Sequence, residues 1–300
     1  MSPQAGLFTI PAADYLADAG HDVPTLNSSI ARVLLAESPW HAWTRHPRLN
    51  PDYQPEAREA FDLGTAFHSM MLEGGDAFAV IDAEDYRTKE AKGLRDAARA
   101  AGKAPVKAGQ WANLLTMERA VHAQLMAFDG SPTPLGDGGA PEQTIVWEED
   151  GVWCRGRLDW LHANRRTVDD LKTTNLGAHP DAWGRTLFNM GLDVQAGFYL
   201  RGLKRLFNVE AECRFLVCEL TPPYAVSVVA LAPDALALAD RKVSRAITLW
   251  RECLATNTWP GYSPRTHVVD APPWEYARFN ASEPDSLYDQ AARLGRGETL

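Results

Sequence analysis

Cysteine is scarce in this sequence, and its four cysteines form no CxxC pair: Cys154, Cys213, Cys218 and Cys253. This spacing excludes a zinc ribbon and a disulfide scaffold. The sequence also lacks a run of ~20 apolar residues that could span a bilayer. Its first residues lack the basic start and apolar run of a secretory signal. These absences predict a protein of a reducing cytoplasm that does not enter membranes.

Positive charge is also in deficit, because 30 Lys and Arg residues stand against 39 Asp and Glu residues, which gives a net charge of −9. This balance excludes a protein that is held on nucleic acid by a broadly basic surface. It leaves room for an enzyme with a local basic channel around an acidic metal site. The 45% share of hydrophobic residues is ordinary for a globular protein.

The order of predicted elements is helices first, then strands mixed with helices. It indicates an α/β (or α+β) fold in which a central mixed β-sheet is flanked by helices. We expect a helical part over residues 1–130, a strand-rich core over 131–262 and an extension over 263–300, integrated into one domain. The first 24 residues, which contain several prolines, are predicted to be a loosely packed lead-in.

The most informative stretch is Val152–Thr174, which predicts two strands. Asp150-Gly151 before it is a strong signal for a two-residue hairpin turn. Charged residues recur at every second position: Arg155, Arg157 and Asp159 in the first strand, Asp170 and Lys172 in the second. Residues two apart share a face of a strand. If the two strands pair, two carboxylates and one ammonium converge, which suits a divalent metal that activates water for phosphodiester hydrolysis.

An alternative is that Asp170 and Lys172 form an ordinary surface salt bridge, which contributes little to stability. The apolar neighbours Val168 and Leu171 favour a central strand instead. Charges on a central strand need partners or a function, because burying them unpaired is costly.

A broadly apolar helix is predicted over residues 55–73 and contains a single strongly polar ring, His68. Gly64 allows close packing, and Gly74-Gly75 is expected to end the helix. A lone histidine on such a surface is more often a core residue than a metal ligand. Its role depends on whether the fold brings it to the two aspartates.

Taken together, these segments resemble the PD-(D/E)xK nuclease superfamily, in its RecB-like branch, and most closely the phage and prophage RecE-type exonucleases (exonuclease VIII). The resemblance covers about residues 55–260. It is carried, in the family's order, by GTAFHSMMLEG, EQTIVWEEDGVWCRGRLDW, TVDDLKTT, VQAGFYLRGL and PPYAVSVVAL. Each motif is weak alone, but five in order form a strong signal. The implied fold is a restriction-endonuclease-like core with a helical N-terminal part, which makes residues 131–262 the expected nuclease core.

The resemblance implies a metal site formed by His68, Asp159, Asp170 and the main-chain carbonyl of Leu171. Lys172 is implied as the catalytic lysine beside Asp159 and Asp170. Glu142 has a weaker claim as a supporting acid. Oxygen ligands of this kind select Mg²⁺ or Mn²⁺ over softer metals.

The resemblance also implies residues that hold DNA near the metal. Gln195 and Tyr199 match the Gln-x-x-x-Tyr helix of the RecB-like branch, and Arg155, Arg157 and Thr173 are further expected DNA contacts. Some relatives carry a four-cysteine iron–sulfur cluster, but Ser38-Pro39 occupies the early region and the late cysteines are missing. No such cluster is therefore expected.

The implied activity is that of a metal-dependent exodeoxyribonuclease acting on ends of linear double-stranded DNA in phage-type recombination, inside a bacterial host cell. The implied partners are a single-strand annealing protein and further copies of the chain in a ring. Two alternatives stay open: an endonuclease of restriction or repair with the same fold, and an inactive DNA-binding or assembly protein.

Overall fold

A mixed sheet of seven strands forms the centre of the computed structural model, which describes residues 4–54, 63–74, 77–101, 103–136, 138–282 and 295–296. Its strands are β1 (Gly6–Thr9), β2 (Leu26–Asn27), β5 (Ala140–Glu149), β6 (Val152–Leu161), β7 (Thr167–Thr174), β8 (Glu212–Glu219) and β9 (Val226–Ala230). They lie in the order β1-β5-β6-β7-β8-β9, and β2 pairs with β6. The pairs β2/β6 and β7/β8 are parallel and the others antiparallel. The predicted mixed sheet is confirmed.

A separate two-stranded parallel sheet is formed by β3 (Phe78–Ile81) and β4 (Ala104–Lys107). The helices are α1 (Ala12–Leu16), α2 (Ser28–Ala36), α3 (Pro39–Arg45), α4 (Leu63–Glu73), α5 (Lys89–Ala100), α6 (Ala108–Met126), α7 (Pro180–Asn189), α8 (Leu192–Phe207), α9 (Pro233–Thr256) and α10 (Pro273–Ser282). Among helices in the described ranges, none combines the length and apolar character that crossing a bilayer requires.

The chain divides into two units, residues 1–261 and 262–300. The first contains the large sheet and all elements through α9. In the second, α10 carries an exposed ion pair between Arg278 and Glu275.

Two hydrophobic clusters cover the large sheet. The first joins the sheet to α2, α8 and α9, and its largest fully buried side chains are Trp147, Phe198, Phe215 and Trp250. The second joins β7 and β8 to α4 and α6 through residues such as Phe67, Leu114, Leu171 and Leu216. The helix that carries His68 and the helix that carries Gln195 are thus each packed on the sheet.

Local sequence explains where the elements nearest the site begin and end. Asp150 and Gly151 have φ values of 52° and 79° between β5 and β6, as the predicted hairpin turn requires. Gly74 has a φ of 80° directly after α4, which confirms it as a helix terminator. The first part of the predicted helix, residues 55–62, lies outside the described residues, as does Gly75.

The prediction of a loosely packed lead-in is wrong for much of the first 24 residues. Gly6–Thr9 extends the sheet as an edge strand on β5. Asp18 is buried and lies 3.1 Å from Arg155 Nε, and its carboxylate also accepts a hydrogen bond from the Thr25 hydroxyl at 2.6 Å. The partners on β5 and Arg155 lie far along the chain, so local composition did not indicate them.

Asp169, on β7, is held by a buried polar cluster on the opposite side of the strand from Lys172. Arg214 on β8 donates two hydrogen bonds to its carboxylate, at 2.7 and 3.0 Å. His162 Nε2 lies 2.6 Å from Asp169 Oδ2, and the Leu135 amide donates to the same oxygen at 2.9 Å. The cluster ties the loop before β5 to the strand that carries Asp170 and Lys172.

We predict that Arg214→Met lowers the free energy of unfolding by about 3–5 kcal/mol, because it leaves the buried Asp169 carboxylate short of its strongest partner. Urea denaturation measures this change. Arg87→Met, which removes an exposed ion pair with Asp85, is the matched control and should cost less than about 1 kcal/mol. A loss of that small size for Arg214→Met would contradict a structural role for the cluster.

The pH dependence of this contribution follows from the pKa of Asp169. Burial opposes ionisation, but the hydrogen bonds from His162, Arg214 and Leu135 outweigh it, so the pKa lies below its usual value. A carboxylate with a lowered pKa stabilises the fold above its unfolded pKa of about 3.9. That stabilisation should be lost as the pH falls through the lower, folded value.

Candidate metal centre

The candidate site lies where β6 and β7 separate. The two strands pair through Trp160 with Asp169 and through Leu161 with Val168, and no pairing between them continues within the described residues. Asp159 is the next residue of β6 beyond these pairs. Its Oδ2 accepts a hydrogen bond from the Leu171 amide at 2.8 Å. The diverging strands therefore leave space in which side chains from both can meet.

Three possible metal ligands from distant parts of the chain meet at this point. One ligand atom each from His68, Glu142 and Asp159 lies within 4.8 Å of the others. His68 Nε2 is 2.9 Å from Asp159 Oδ2, and His68 Nδ1 is 4.0 Å from Glu142 Oε1. Two carboxylates and one imidazole at these separations could together hold a single divalent cation.

Glu142 is one of the three possible ligands, whereas the sequence indicated it only as a supporting acid. It lies on β5 between the register pairs Pro141–Trp160 and Gln143–Leu158, and therefore opposite Asp159. Its φ of 56° is in the left-handed region, which is unfavourable for a residue with a side chain. Such strain is found where the surrounding structure fixes a functional side chain. No local sequence pattern predicts this conformation.

Asp170 and Lys172 lie next to this group on β7. The Lys172 ammonium contacts Asp170 Oδ1, and Gln195 Nε2 donates to Asp170 Oδ2 at 2.8 Å. The same amide group is 2.8 Å from the Tyr199 hydroxyl. Asp170 is fully buried, whereas the Lys172 side chain is 21% exposed and the His68 side chain 32% exposed. The lysine and the histidine can therefore be reached from solvent.

The electrostatics of the site couple its charges. Burial raises the pKa of Asp170 to about 6, with Asp159 adding to the rise and Lys172 opposing it. Burial disfavours the charged form of Lys172, but Asp170 and Asp159 outweigh it and raise the pKa of the lysine. Burial likewise opposes protonation of His68, but its hydrogen bond to Asp159 and the other nearby carboxylates leave its pKa raised. The carboxylates of the site thus favour positive charge on the groups beside them.

We predict that Mn²⁺ binding weakens steeply as the pH falls from 8 to 5.5. The pKa of Asp170, about 6, lies in this range and the pKa of His68 is raised, and a proton competes with a metal for the same lone pairs. Below about pH 6 the affinity should fall about tenfold per unit for each proton displaced. Calorimetric titration at several pH values measures this. An affinity unchanged between pH 8 and 5.5 would contradict it.

The structure places the remaining predicted residues in different surroundings. Arg155 is 2% exposed and paired with Asp18, so its position does not support a direct contact with DNA. Arg157 is largely buried and paired with Glu142. Thr173 is half-buried on β7, directly after Lys172. Leu171 contacts Asp159 through its amide, and the ligand role of its carbonyl stays a prediction.

Comparison with protein families decides the fold family. A model described as a PDDEXK-like domain of unknown function (DUF3799) matches residues 34–272, which is most of the chain. The chain belongs to this family. The sequence-based assignment to the PD-(D/E)xK superfamily is thereby confirmed. A comparison with curated proteins finds no match.

Solved structures with a similar fold include a candidate exonuclease from Eubacterium rectale. It is 11% identical to this PDDEXK-like chain, with a TM-score of 0.56 over 92% of this chain and 100% of that one. A phage-related exonuclease from Haemophilus somnus is also 11% identical, with a TM-score of 0.31 over 78% and 96% of the respective chains. At these identities the first similarity shows the fold alone, and the second carries no argument about this chain.

Proposed function

We propose that this PDDEXK-like protein is a metal-dependent exodeoxyribonuclease of the RecE type, which hydrolyses linear double-stranded DNA from its ends. The proposal rests on the close approach of His68, Glu142 and Asp159 at the fork, the point where β6 and β7 separate, beside the Asp170–Lys172 pair. Carboxylates and an imidazole that can hold a divalent metal, beside an ammonium group, are suited to phosphodiester hydrolysis. We further propose that it acts in phage-type recombination, in the cytoplasm of a bacterial host.

The proposed roles follow from the contacts. A Mg²⁺ or Mn²⁺ ion held by His68, Glu142, Asp159 and Asp170 would lower the pKa of water and offset charge on the attacked phosphate. Lys172, whose ammonium is partly exposed beside Asp170, orients the attacking water and stabilises its charge as the proton leaves. Gln195 and Tyr199 are buried behind Asp170. They help to fix the direction in which Asp170 points, and their contact with DNA stays a prediction.

Digestion of matched DNA substrates tests the activity. A linear duplex and a covalently closed circle of the same sequence are incubated with the protein in Mg²⁺, in Mn²⁺ and in EDTA. We expect the linear duplex to shorten in either metal, the circle to stay intact and EDTA to stop the reaction. Cleavage of the circle would identify an endonuclease. Persistence of both substrates, with DNA still bound, would identify an inactive binding protein.

We also propose that the protein encloses DNA as a ring-shaped homo-oligomer and works with a single-strand annealing protein. A chain of net charge −9 cannot rely on broad electrostatic adhesion to remain on DNA. Enclosure by a closed ring is the other physical way to make release rare. Mass measurement in solution and digestion in the presence of trap DNA test this. A monomer that nevertheless degrades long tracts per encounter would contradict it.

A further inference from the structure

Arg157 lies on β6 two residues before Asp159, and its guanidinium is directed at protein groups. Its Nε contacts Glu142 Oε2, and its Nη1 donates to the Ile10 carbonyl at 2.8 Å. The guanidinium carbon also lies 5.9 Å from the centre of the Tyr15 ring. The side chain is 17% exposed. Arg157, which was expected to contact DNA, is therefore bound by groups of the protein itself.

The two carboxylate oxygens of Glu142 have different surroundings. Oε2 contacts Arg157, whereas Oε1 lies 4.0 Å from His68 Nδ1, toward the other two possible ligands. One oxygen is therefore held and the other is available to a metal. Carboxylates that bind metals are commonly oriented in this way by a hydrogen-bond donor behind them, and loss of that donor weakens metal binding.

The backbone around Glu142 makes such an orienting group necessary. Glu142 has a left-handed φ of 56°, so the strand alone does not set the direction of its side chain. The residues that follow Glu142 are held by contacts with the N-terminal segment, residues 6–23. Thr9 on β1 pairs with Gln143, and Ile10, the next residue, supplies the carbonyl that Arg157 binds. The N-terminal segment thus supports the arginine that contacts Glu142.

We propose that Arg157 is a positioning residue that holds Glu142 Oε2 so that Oε1 faces His68 and Asp159, with the Ile10 carbonyl of the N-terminal segment fixing the guanidinium. This inference rests on the proposed metal centre. It assigns the first strand of the chain a part in that centre, and it assigns Arg157 an action through Glu142 instead of a contact with DNA.

Mn²⁺ affinity measured by calorimetry at pH 8 distinguishes positioning from simple charge. If Arg157 only neutralised Glu142, Arg157→Met would leave more negative charge at the site and tighten Mn²⁺ binding. Positioning predicts the opposite, a loss of about tenfold. Arg157→Lys keeps the charge without the planar fork of donors, and should lose part of this affinity. Unchanged or tighter binding by Arg157→Met would overturn the proposal.

A double-mutant cycle tests whether Arg157 acts through Glu142. The loss in Arg157→Met/Glu142→Gln should be no greater than in Glu142→Gln alone, because the positioned oxygen is already altered. If the loss of Mn²⁺ affinity in the double variant equals the product of the losses in the two single variants, the proposal is overturned. Thermal melting without metal checks that each variant folds. If Arg157→Met does not fold, the Mn²⁺ affinity of Arg157→Lys alone tests the proposal, and an unchanged affinity would overturn it.

Arg48→Met is the matched control. Arg48 also donates to carbonyls of the N-terminal segment, those of Asp22 and Val23, at 3.0 and 2.7 Å. Its loss should leave Mn²⁺ affinity within about twofold of wild type; a tenfold loss would overturn the proposal by showing that general loosening of the segment is sufficient. If wild type itself binds no Mn²⁺, the proposed function fails. If wild type binds and Arg157→Met binds equally well, only this inference fails.

Discussion

Asp170→Asn should reduce hydrolysis of linear DNA by roughly a thousandfold or more. The substitution keeps the shape of the side chain but removes a carboxylate charge at the candidate metal centre. A metal contributes several kcal/mol to stabilising the transition state, and about 4 kcal/mol corresponds to roughly a thousandfold in rate. Initial rates on an end-labelled duplex, with Mg²⁺ at saturating and limiting concentrations, measure the effect.

Asp193→Asn is the matched control for this prediction. Asp193 on α8 is likewise a fully buried aspartate. It accepts a hydrogen bond at 2.6 Å from Lys242 on α9. Its neutralisation removes a similar buried pair outside the site. Hydrolysis by Asp193→Asn should stay within about threefold of wild type if the variant remains folded. Near wild-type hydrolysis by Asp170→Asn would show that this strand does not carry the chemistry.

Lys172→Met should lower the rate of hydrolysis about a hundredfold to a thousandfold while leaving metal binding in place. The ammonium is expected to act on the attacking water, and losing one such stabilising group typically has this effect on a rate. Because Lys172 also opposes the raised pKa of Asp170, its removal should raise that pKa further. The pH below which activity is lost should therefore rise in the variant, which a pH–rate profile can measure.

Lys242→Met provides the comparison for this second prediction, since Lys242 pairs with a buried aspartate in the same way without touching the site. It should digest DNA normally, with an unchanged pH profile. If Lys172→Met and Lys242→Met have the same activity, the lysine has no role in catalysis. If Lys172→Met instead loses Mn²⁺ binding, its role is structural.

Much of the fold could be predicted because its determinants are local. Alternation of charged and apolar residues predicted β6 and β7, and Asp150-Gly151 predicted the turn before β6. Strand alternation also puts Asp169 on the other face of β7 from Lys172, and there the structure places it against Arg214. The contact between His68 and Asp159 could not be predicted from local sequence. These residues are 91 positions apart, and only the resemblance to a known family indicated that they come together.

The parts that sequence reasoning missed depend on contacts between distant segments. Glu142 has a left-handed backbone, lies opposite Asp159 and contacts Arg157, and no local sequence pattern indicates any of these features. The first strand was missed because Gly6–Thr9 is short and its partner lies about 140 residues later. Arg155 and Arg157 were expected to contact DNA, and in the structure they donate hydrogen bonds to the Tyr15 and Ile10 carbonyls near the start of the chain.

We expect one divalent metal to be held beside Lys172 by His68, Glu142, Asp159 and Asp170. Crystals of the protein soaked in Mn²⁺ test it most directly, because anomalous scattering locates the ion independently of activity. We predict one peak at the fork between β6 and β7, with carboxylate oxygens of Asp159 and Glu142 about 2.0–2.3 Å away. The absence of a peak at Asp159 when Mn²⁺ is saturating, or a peak only at another place on the chain, would contradict the account.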